Sequence, residues 1–490
     1  MNNPDKQRFS FLKSSLVKNG SWGIASNILQ MVMICVFFAI VARKYPPAEF
    51  ARFLISNTVY QIIAAFSSMG LGQWFIRQYL IEDNKLALTG KFLKTQIGLG
   101  LVFYVVNLIA AYLIYSDLQI RLLCIILGTN IVFDNLINAI RSLNVAENEQ
   151  RKTALILVID GLLKLLVGCL LFVHPFSVIV LSALMIAVRV LTLSFFIKVG
   201  SSNSITPKLL WTARVSIDDL KQLIVKNWQF IVIGSISIIY WKIANIIISK
   251  TLSLSNVADY EIAFRIFSVI LILPIVATTT IYPQFIKSYN ASDVNNLKKL
   301  YKNVSYLYSV FAIISFVFIY FFADLIVPFA FGKGYPGAIL CLQQMFFTFL
   351  ILPTVLLQAN LIVAIGLEKL DMVFNIISLV VNVLCCMVGL YFVKELSMVN
   401  YAVLISFVVF HISQDILLIR KKLMTAVHCI MFYTAKGFTA VVCIHFKGKI
   451  NPYLFFTLFA GMLAGVTAAL FLKNRNLIAQ PKVNTFKNTI

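Results

Sequence analysis

Five basic side chains fall inside long apolar runs of this 490-residue chain: Lys164, Arg189, Lys242, Arg265 and Lys436. A charge in hydrocarbon costs roughly 2.5–3.5 kcal/mol on insertion scales, so such residues turn toward a cavity or a partner charge. Their chemistry is the attraction of anions. Asp160 and Glu261 share two of these runs, and Asp134 lies in the run at 119–140 near the depth of Asp160. Asp160 stands one helical turn before Lys164, and Glu261 one turn before Arg265, a spacing that places each pair on one helix face. Two readings of the carboxylates stand side by side. They close a charge network, or Asp134 or Asp160 exchanges a proton, since a buried carboxylate can titrate near neutrality.

The helix expected at 227–249 carries more than a lone base. At 100° per residue from Lys242, Asn227, Gly234, Ser235, Asn245 and Ser249 fall within one arc of about 100°, which gives this helix a polar face and a lipid face. The alternative is that Lys242 snorkels past Ser249 to the membrane surface, about 10 Å along the axis. Lys242 and Arg265 lie at similar depth, which allows them to share one anion. The alternative for Arg265 is a structural pair with Glu261. In the helix at 153–173, Asp160, Gly161, Lys164 and Gly168 occupy one arc, and Arg189 lies near the midplane of the next span. Lys436 is left open between the core and a lipid groove. His411 and Asp415 are expected at the membrane interface, and the remaining histidines near span ends make poor ligand sets. Nothing in the sequence has the spacing of GxxxxGK[ST], HExxH or GxSxG, so neither nucleotide-phosphate nor hydrolytic chemistry is indicated, and no metal or cofactor is expected.

The elements that position these residues follow from composition. The chain is 60% hydrophobic and 12% charged, with a mean hydropathy of +0.89, far from the quarter-charged norm of globular domains. Fourteen membrane-spanning helices are expected, at 22–42, 53–76, 95–115, 119–140, 153–173, 177–198, 227–249, 256–284, 303–322, 338–365, 371–392, 398–419, 424–445 and 452–472. The second, eighth and tenth run long, which implies tilt or projecting ends. The net charge of +23 does not point to nucleic acid, because cytoplasmic loops of membrane proteins are rich in Lys and Arg. With both termini cytoplasmic, the inner segments hold 28 of the 42 Lys and Arg and the outer loops 9, which supports that orientation. The eight cysteines form no CxxC pair and read as small buried hydrophobes.

The order of spans suggests a duplication. PAEFARF at 47–53 and LSNVADY at 254–260 each follow an apolar helix and a short turn, six spans apart. The expected organisation is a cytoplasmic tail at 1–21, a six-helix half at 22–198, a cytoplasmic linker at 199–226, a second six-helix half at 227–419, two extra helices at 420–472 and a cytoplasmic tail at 473–490. IDDLKQLI within the linker reads as a short amphipathic surface helix. Pro274, Pro283 and Pro353 are expected bending points, and the GxxxG of Gly461 and Gly465 suits close helix packing.

Three motifs carry a resemblance. RKYPPAEFARF after the first span, LSLSNVADYEIAFRI opening the second half, and DLIVPFAFGKGYPGAI at 324–339 together resemble Wzx-type polysaccharide flippases of the multidrug/oligosaccharidyl-lipid/polysaccharide exporter (MOP) superfamily. Pro47, Ala51 and Ala258 depart from that pattern at positions where Gly is usual. The resemblance implies a MATE-like fold of two six-helix repeats in a bacterial inner membrane. It implies passage of an undecaprenyl-diphosphate-linked oligosaccharide, such as an O-antigen unit of lipopolysaccharide, to the periplasmic leaflet by ion-coupled alternating access. On that reading Lys242, Arg265, Arg189 and Lys164 attract the substrate, while Asp160, Asp134 and Glu261 serve coupling or the charge network. Membrane lipids, a polysaccharide polymerase and a chain-length regulator are the implied partners. The alternatives are a cation-coupled multidrug antiporter of the same superfamily, which favours an acidic cavity, and an integral-membrane polysaccharide polymerase or ligase, which needs a large external loop.

Overall fold

The computed structural model describes residues 15–200, 205, 206, 209, 210, 215 and 217–473, and among them only helices and turns occur. The helices, in chain order, are α1 (Ser15–Lys44), α2 (Pro47–Ser67), α3 (Leu71–Ile81), α4 (Lys85–Ile114), α5 (Leu118–Gly128), α6 (Asn130–Ala146), α7 (Gln150–Val173) and α8 (Val178–Phe195), the last ending in a π-helical turn at Phe196–Gly200. They continue as α9 (Ile217–Thr251), α10 (Leu254–Asn290), α11 (Val294–Phe331), α12 (Pro336–Phe349), α13 (Leu352–Ala364), α14 (Glu368–Phe392), α15 (Leu396–Arg420), α16 (Ala426–Phe446) and α17 (Pro452–Lys473). Among the described residues, 12 segments are long and apolar enough to cross a membrane, from Ala25–Lys44 to Ala426–Phe446. The helices α9 and α17 stand where the sequence expects the other two. The protein is a multi-pass membrane protein of the all-α class. Residues 1–14 and 474–490 of the tails, and 201–204, 207, 208, 211–214 and 216 of the linker, lie outside the described residues. From Ile217 the chain is already part of α9, so IDDLKQLI extends that helix rather than forming a separate one.

Three spans that read as continuous in sequence are each broken in two. Met69 and Gly70 take positive φ (49° and 59°) and separate α2 from α3. Thr129 separates α5 from α6, its hydroxyl donating to the Ile126 carbonyl at 2.7 Å. Pro353 stands in the first turn of α13, where its missing N–H costs nothing and where it cannot extend α12. Pro274 and Pro283, by contrast, sit inside an uninterrupted α10. The Pro274 carbonyl accepts hydrogen bonds from the Thr278 and Tyr308 hydroxyls at 2.6 and 3.0 Å, which holds the backbone at this point.

Close approach of α1 to α7 is made possible by glycine. A Cβ on Gly161 would stand 2.7 Å from Met33 Cε, and one on Gly168 would stand 2.9 Å from Phe37 Cδ2. The glycines therefore share an arc with Asp160 and Lys164 because that face is pressed against α1. Gly461 and Gly465 behave differently: nothing lies within 4 Å of a Cβ on either, so their GxxxG packs against no described helix.

One end of the bundle is tied shut. Arg43, at the end of α1, donates to the Phe329 and Ala330 carbonyls of α11, and Tyr335 OH donates to the Ala42 carbonyl at 2.8 Å. Tyr115 OH and Ser249 Oγ lie 3.0 Å apart, and Lys250 donates to the Ile114 carbonyl. These bonds join the ends of α1 and α4 to those of α9, α11 and α12.

Candidate functional site

Helix α2 is the wall between two charged clusters. On one side α6, α7 and α8 contribute Asp134, Asp160, Lys164 and Arg189. Asp160 has no exposed surface and takes four polar contacts. Lys164 Nζ approaches its Oδ2 at 2.7 Å and Gln30 Nε2 donates to the same oxygen at 3.1 Å. Thr192 Oγ1 donates to Oδ1 at 2.9 Å, and Arg189 Nη1 stands 3.5 Å away. Arg189 bridges onward, with Nη2 2.9 Å from Asp134 Oδ1. The i,i+4 spacing of Asp160 and Lys164 thus gives a real contact, and the close packing of α1 on Gly161 delivers Gln30 to it.

On the other side, α9 and α10 present Lys242, Asn245, Glu261 and Arg265. Lys242 Nζ and Asn245 Nδ2 each lie 2.5 Å from Glu261 Oε1, and Asn245 Nδ2 also reaches Thr58 Oγ1 on α2 at 3.0 Å. Lys242 is buried in the protein and does not snorkel. The polar stripe faces α2 and its neighbours: Ser235 Oγ donates to the Ala65 carbonyl at 3.0 Å. The surroundings of Asn227 and Gly234 are outside what is described. Arg265 Nε is 3.4 Å from Glu261 Oε2, yet Nε and Nη2 form no hydrogen bond. Its guanidinium carbon lies 3.7 Å from the centre of the Phe38 ring, a cation–π contact that holds the head while leaving its donors unused. Lys242 and Arg265 therefore meet through Glu261.

Both clusters border a pair of adjoining cavities. A cavity of about 360 Å³ is lined by Lys164, Arg189, Arg265, Asp134, Gln30 and Asn57, among others. A second, of about 530 Å³, is lined by Lys242, Trp241, Phe264 and Ser237. The two adjoin at Tyr60, Gln61, Asp134 and Asn138, which line both. All four bases singled out from sequence reach this space. So does Arg141, which the sequence assigns to an inner loop but which lies on α6, one turn beyond Asn138. Polar Asn57 and Gln61 on α2 were also missed, although their i,i+4 spacing around Tyr60 marks one face of an otherwise apolar span. Counting Asp160 and Glu261 behind the wall, five bases meet three carboxylates, a formal excess of two positive charges.

His411, Asp415 and Lys436 form a separate group. All three are buried in the protein, with exposures of 2%, 4% and 3%. Lys436 faces the protein interior on α16 instead of a lipid groove, packed over the Phe432 ring. Hydropathy places His411 and Asp415 near the end of α15, and α16 covers that end through Phe432 and Tyr433.

Residues 16–289 match the polysaccharide biosynthesis protein family. No curated protein matches the chain by sequence. Its fold is similar to that of the lipid II flippase MurJ in an inward closed conformation, with 15% identity over 93% of this chain and 99% of that one and a TM-score of 0.72. It is also similar to a multidrug resistance MATE family transporter of the MOP superfamily in its inward-facing conformation, with 16% identity, coverage of 80% and 94%, and a TM-score of 0.63. A MOP superfamily transporter from Pyrococcus furiosus, described as having a binding pocket of reverse polarity, gives 16% identity, coverage of 84% and 95%, and a TM-score of 0.58.

Proposed function

The chain belongs to the polysaccharide biosynthesis protein family, and we propose that it is a flippase that carries an undecaprenyl-diphosphate-linked oligosaccharide, of the O-antigen repeat-unit kind, from the cytoplasmic to the periplasmic leaflet of a bacterial inner membrane. The observation that carries this reading is the cavity's excess of two positive charges, with Arg265 N–H donors left unbonded beside it. A diphosphate offers anionic oxygens to such donors. Each sugar hydroxyl taken dry into hydrocarbon costs roughly 2–7 kcal/mol, so the sugar head needs a polar passage while the polyprenyl tail stays in lipid. Asn57, Gln61, Asn138 and Tyr60 supply hydrogen-bonding groups, and Trp241 and Phe264 supply flat apolar faces. A cavity for organic cations would call for the opposite charge.

In this proposal the halves 22–198 and 227–419 rock about the cavity. Lys164, Arg189, Lys242 and Arg265 contact the diphosphate or acidic sugars, and Asp134, Asp160 and Glu261 hold the charge network through which an ion couples to transport. With both termini cytoplasmic, the end tied by Arg43 and Tyr335 faces the periplasm.

The test is complementation of a polysaccharide-deficient strain. Lys242→Ala and Arg265→Ala each lower surface polysaccharide with protein level unchanged, and normal polymer in both variants overturns the assignment. Orientation is read separately by labelling single cysteines: positions 174 and 333 react from outside, and 205 and 296 only from inside.

A further inference from the structure

Away from the cavity, α15 and α16 enclose a group of ionisable side chains that the transport path does not use. Asp415 accepts at both oxygens. Gln358 Nε2 donates to Oδ1 at 2.7 Å, and Tyr433 OH donates to Oδ2 at 2.8 Å. His411 Nδ1 lies 2.9 Å from the same Oδ2 and 2.5 Å from the Tyr433 oxygen. With the Tyr433 hydrogen directed at Asp415, a hydrogen on Nδ1 satisfies this geometry.

The other ring nitrogen leads to the same result. Thr354 Oγ1 donates to the Ile351 carbonyl at 2.6 Å, so it is left as an acceptor for His411 Nε2 at 3.2 Å. His411 with hydrogens on both nitrogens fills every place in this network. Lys436 Nζ then stands 3.5 Å from that same Thr354 oxygen, with the Phe432 ring centre 3.4 Å away.

One buried carboxylate therefore serves two buried bases. Charging both would leave a net positive charge enclosed in the protein, which is costly. Among the described residues no second carboxylate bonds to either base. From α11 comes Tyr301, bonded to Gln358. From α16 come His428, Cys429 and Tyr433, and Asp371 of α14 is bonded to Gln414 of α15. A cavity of about 10 Å³ adjoins the group, lined by Tyr301, Ser305, Gln358, His411, Asp415 and His428 among others. That is close to the least space a single water needs.

We propose that His411, Asp415 and Lys436 form a proton-exchange site, in which His411 and Lys436 compete for one proton held against Asp415. The Thr354 hydroxyl links the two bases: its hydrogen turns from the Ile351 carbonyl to Nζ as Nε2 of His411 gives its proton to Oγ1. Thr354 ends with one hydrogen, and the positive charge has moved from imidazole to amine. The site does not depend on what the cavity carries, because none of these residues lines it.

The test is imidazole NMR on full-length protein labelled at its four histidines, in lipid nanodiscs, with the His411 signals identified by their loss in His411→Gln. The doubly protonated form of His411 converts to the singly protonated form between about pH 5 and pH 9. In Lys436→Met the competitor is gone, and His411 stays doubly protonated across that range. Lys436→Gln, which keeps a donor for Thr354, gives the same result should the Met variant fail to fold. A His411 signal that never changes in the unsubstituted protein marks a static ion pair and overturns the proposal. A titration untouched by both Lys436 substitutions overturns it equally.

Discussion

Lys242 and Glu261 meet across the α9–α10 hairpin at 2.5 Å, and Arg265, one turn along α10, stands 3.4 Å from the carboxylate's other oxygen. One carboxylate, 2% exposed at its side chain, restrains two bases. Removing one partner of a buried ion pair typically costs 3–5 kcal/mol, because the remaining charge is left uncompensated. Glu261→Gln is accordingly expected to lower thermal stability in detergent by about that amount, since two bases lose their anion together. Lys242→Met placed in the same chain recovers part of the loss, because only Arg265, which also has Phe38, then lacks a partner. Equal stability of the single and double variants would show that Glu261 acts mainly on Arg265.

Asp134 and Asp160 share Arg189 but differ in setting. The Asp160 side chain is fully enclosed, and that of Asp134 is 20% exposed at the cavity wall. Replacing Asp160 by Asn leaves Lys164 and Arg189 short of an anion in the interior, and protein level falls. Asp134→Asn retains the fold and makes the cavity one charge more positive. Immunoblotting beside a measurement of surface polysaccharide separates the two: in Asp160→Asn both readouts fall, while in Asp134→Asn only the second changes.

Much of this arrangement is legible in the sequence, for identifiable reasons. Hydropathy and length locate the spans, and helical spacing brings Asp160 to Lys164 and Glu261 to Arg265, because these are local effects. What escapes is set by contacts between distant segments. From sequence, the alternative of a pair with Glu261 falls to Arg265, one turn away. In the folded chain Glu261 lies nearer Lys242, and the Arg265 donors stay unbonded. Arg141 reads as part of a positive inner loop, because nothing local shows that α6 runs on as far as Ala146. The burial of His411 and Asp415 depends on α16, which a window over α15 does not contain. The helix breaks at Gly70 and Thr129 are likewise invisible to hydropathy, which stays high across them.

The closed end should yield to small changes. Arg43→Ala removes the bonds to the Phe329 and Ala330 carbonyls, and Tyr335→Phe removes the one to Ala42. Hydrogen bonds made by charged donors contribute about 1.5–3 kcal/mol each and neutral ones about 0.5–1.5, enough together to shift a two-state equilibrium by more than tenfold. A cysteine at position 57, on the cavity wall, is then expected to react faster with a membrane-impermeant thiol reagent applied from the Arg43 side. An unchanged rate in the combined variant would mean that other contacts hold this end closed.

Asp117 gives a test of pH dependence outside the spans. It caps α5, accepting from the Gln119 and Ile120 amides at 2.8 and 3.2 Å, and it pairs with Arg52 of α2 at 2.8 Å. Burial alone pushes its carboxyl up, but Arg52 and the two amides outweigh burial and hold it below the ordinary carboxylate range. The folded state thus favours the ionised form. Its contribution to stability is complete above the unfolded value of about 3.9, and it is lost as pH falls through the lower folded value. Asp117→Asn keeps the cap and removes the charge, so the difference in melting temperature from the unsubstituted protein narrows as the pH drops below about 4. Asp117→Ala also removes the cap, at a further cost of about 1 kcal/mol, and this part of its deficit persists at neutral pH. Melting curves of the three proteins between about pH 3 and pH 7 separate cap from charge, and a gap between Asn and unsubstituted protein that stays constant with pH would remove the ion pair from this account.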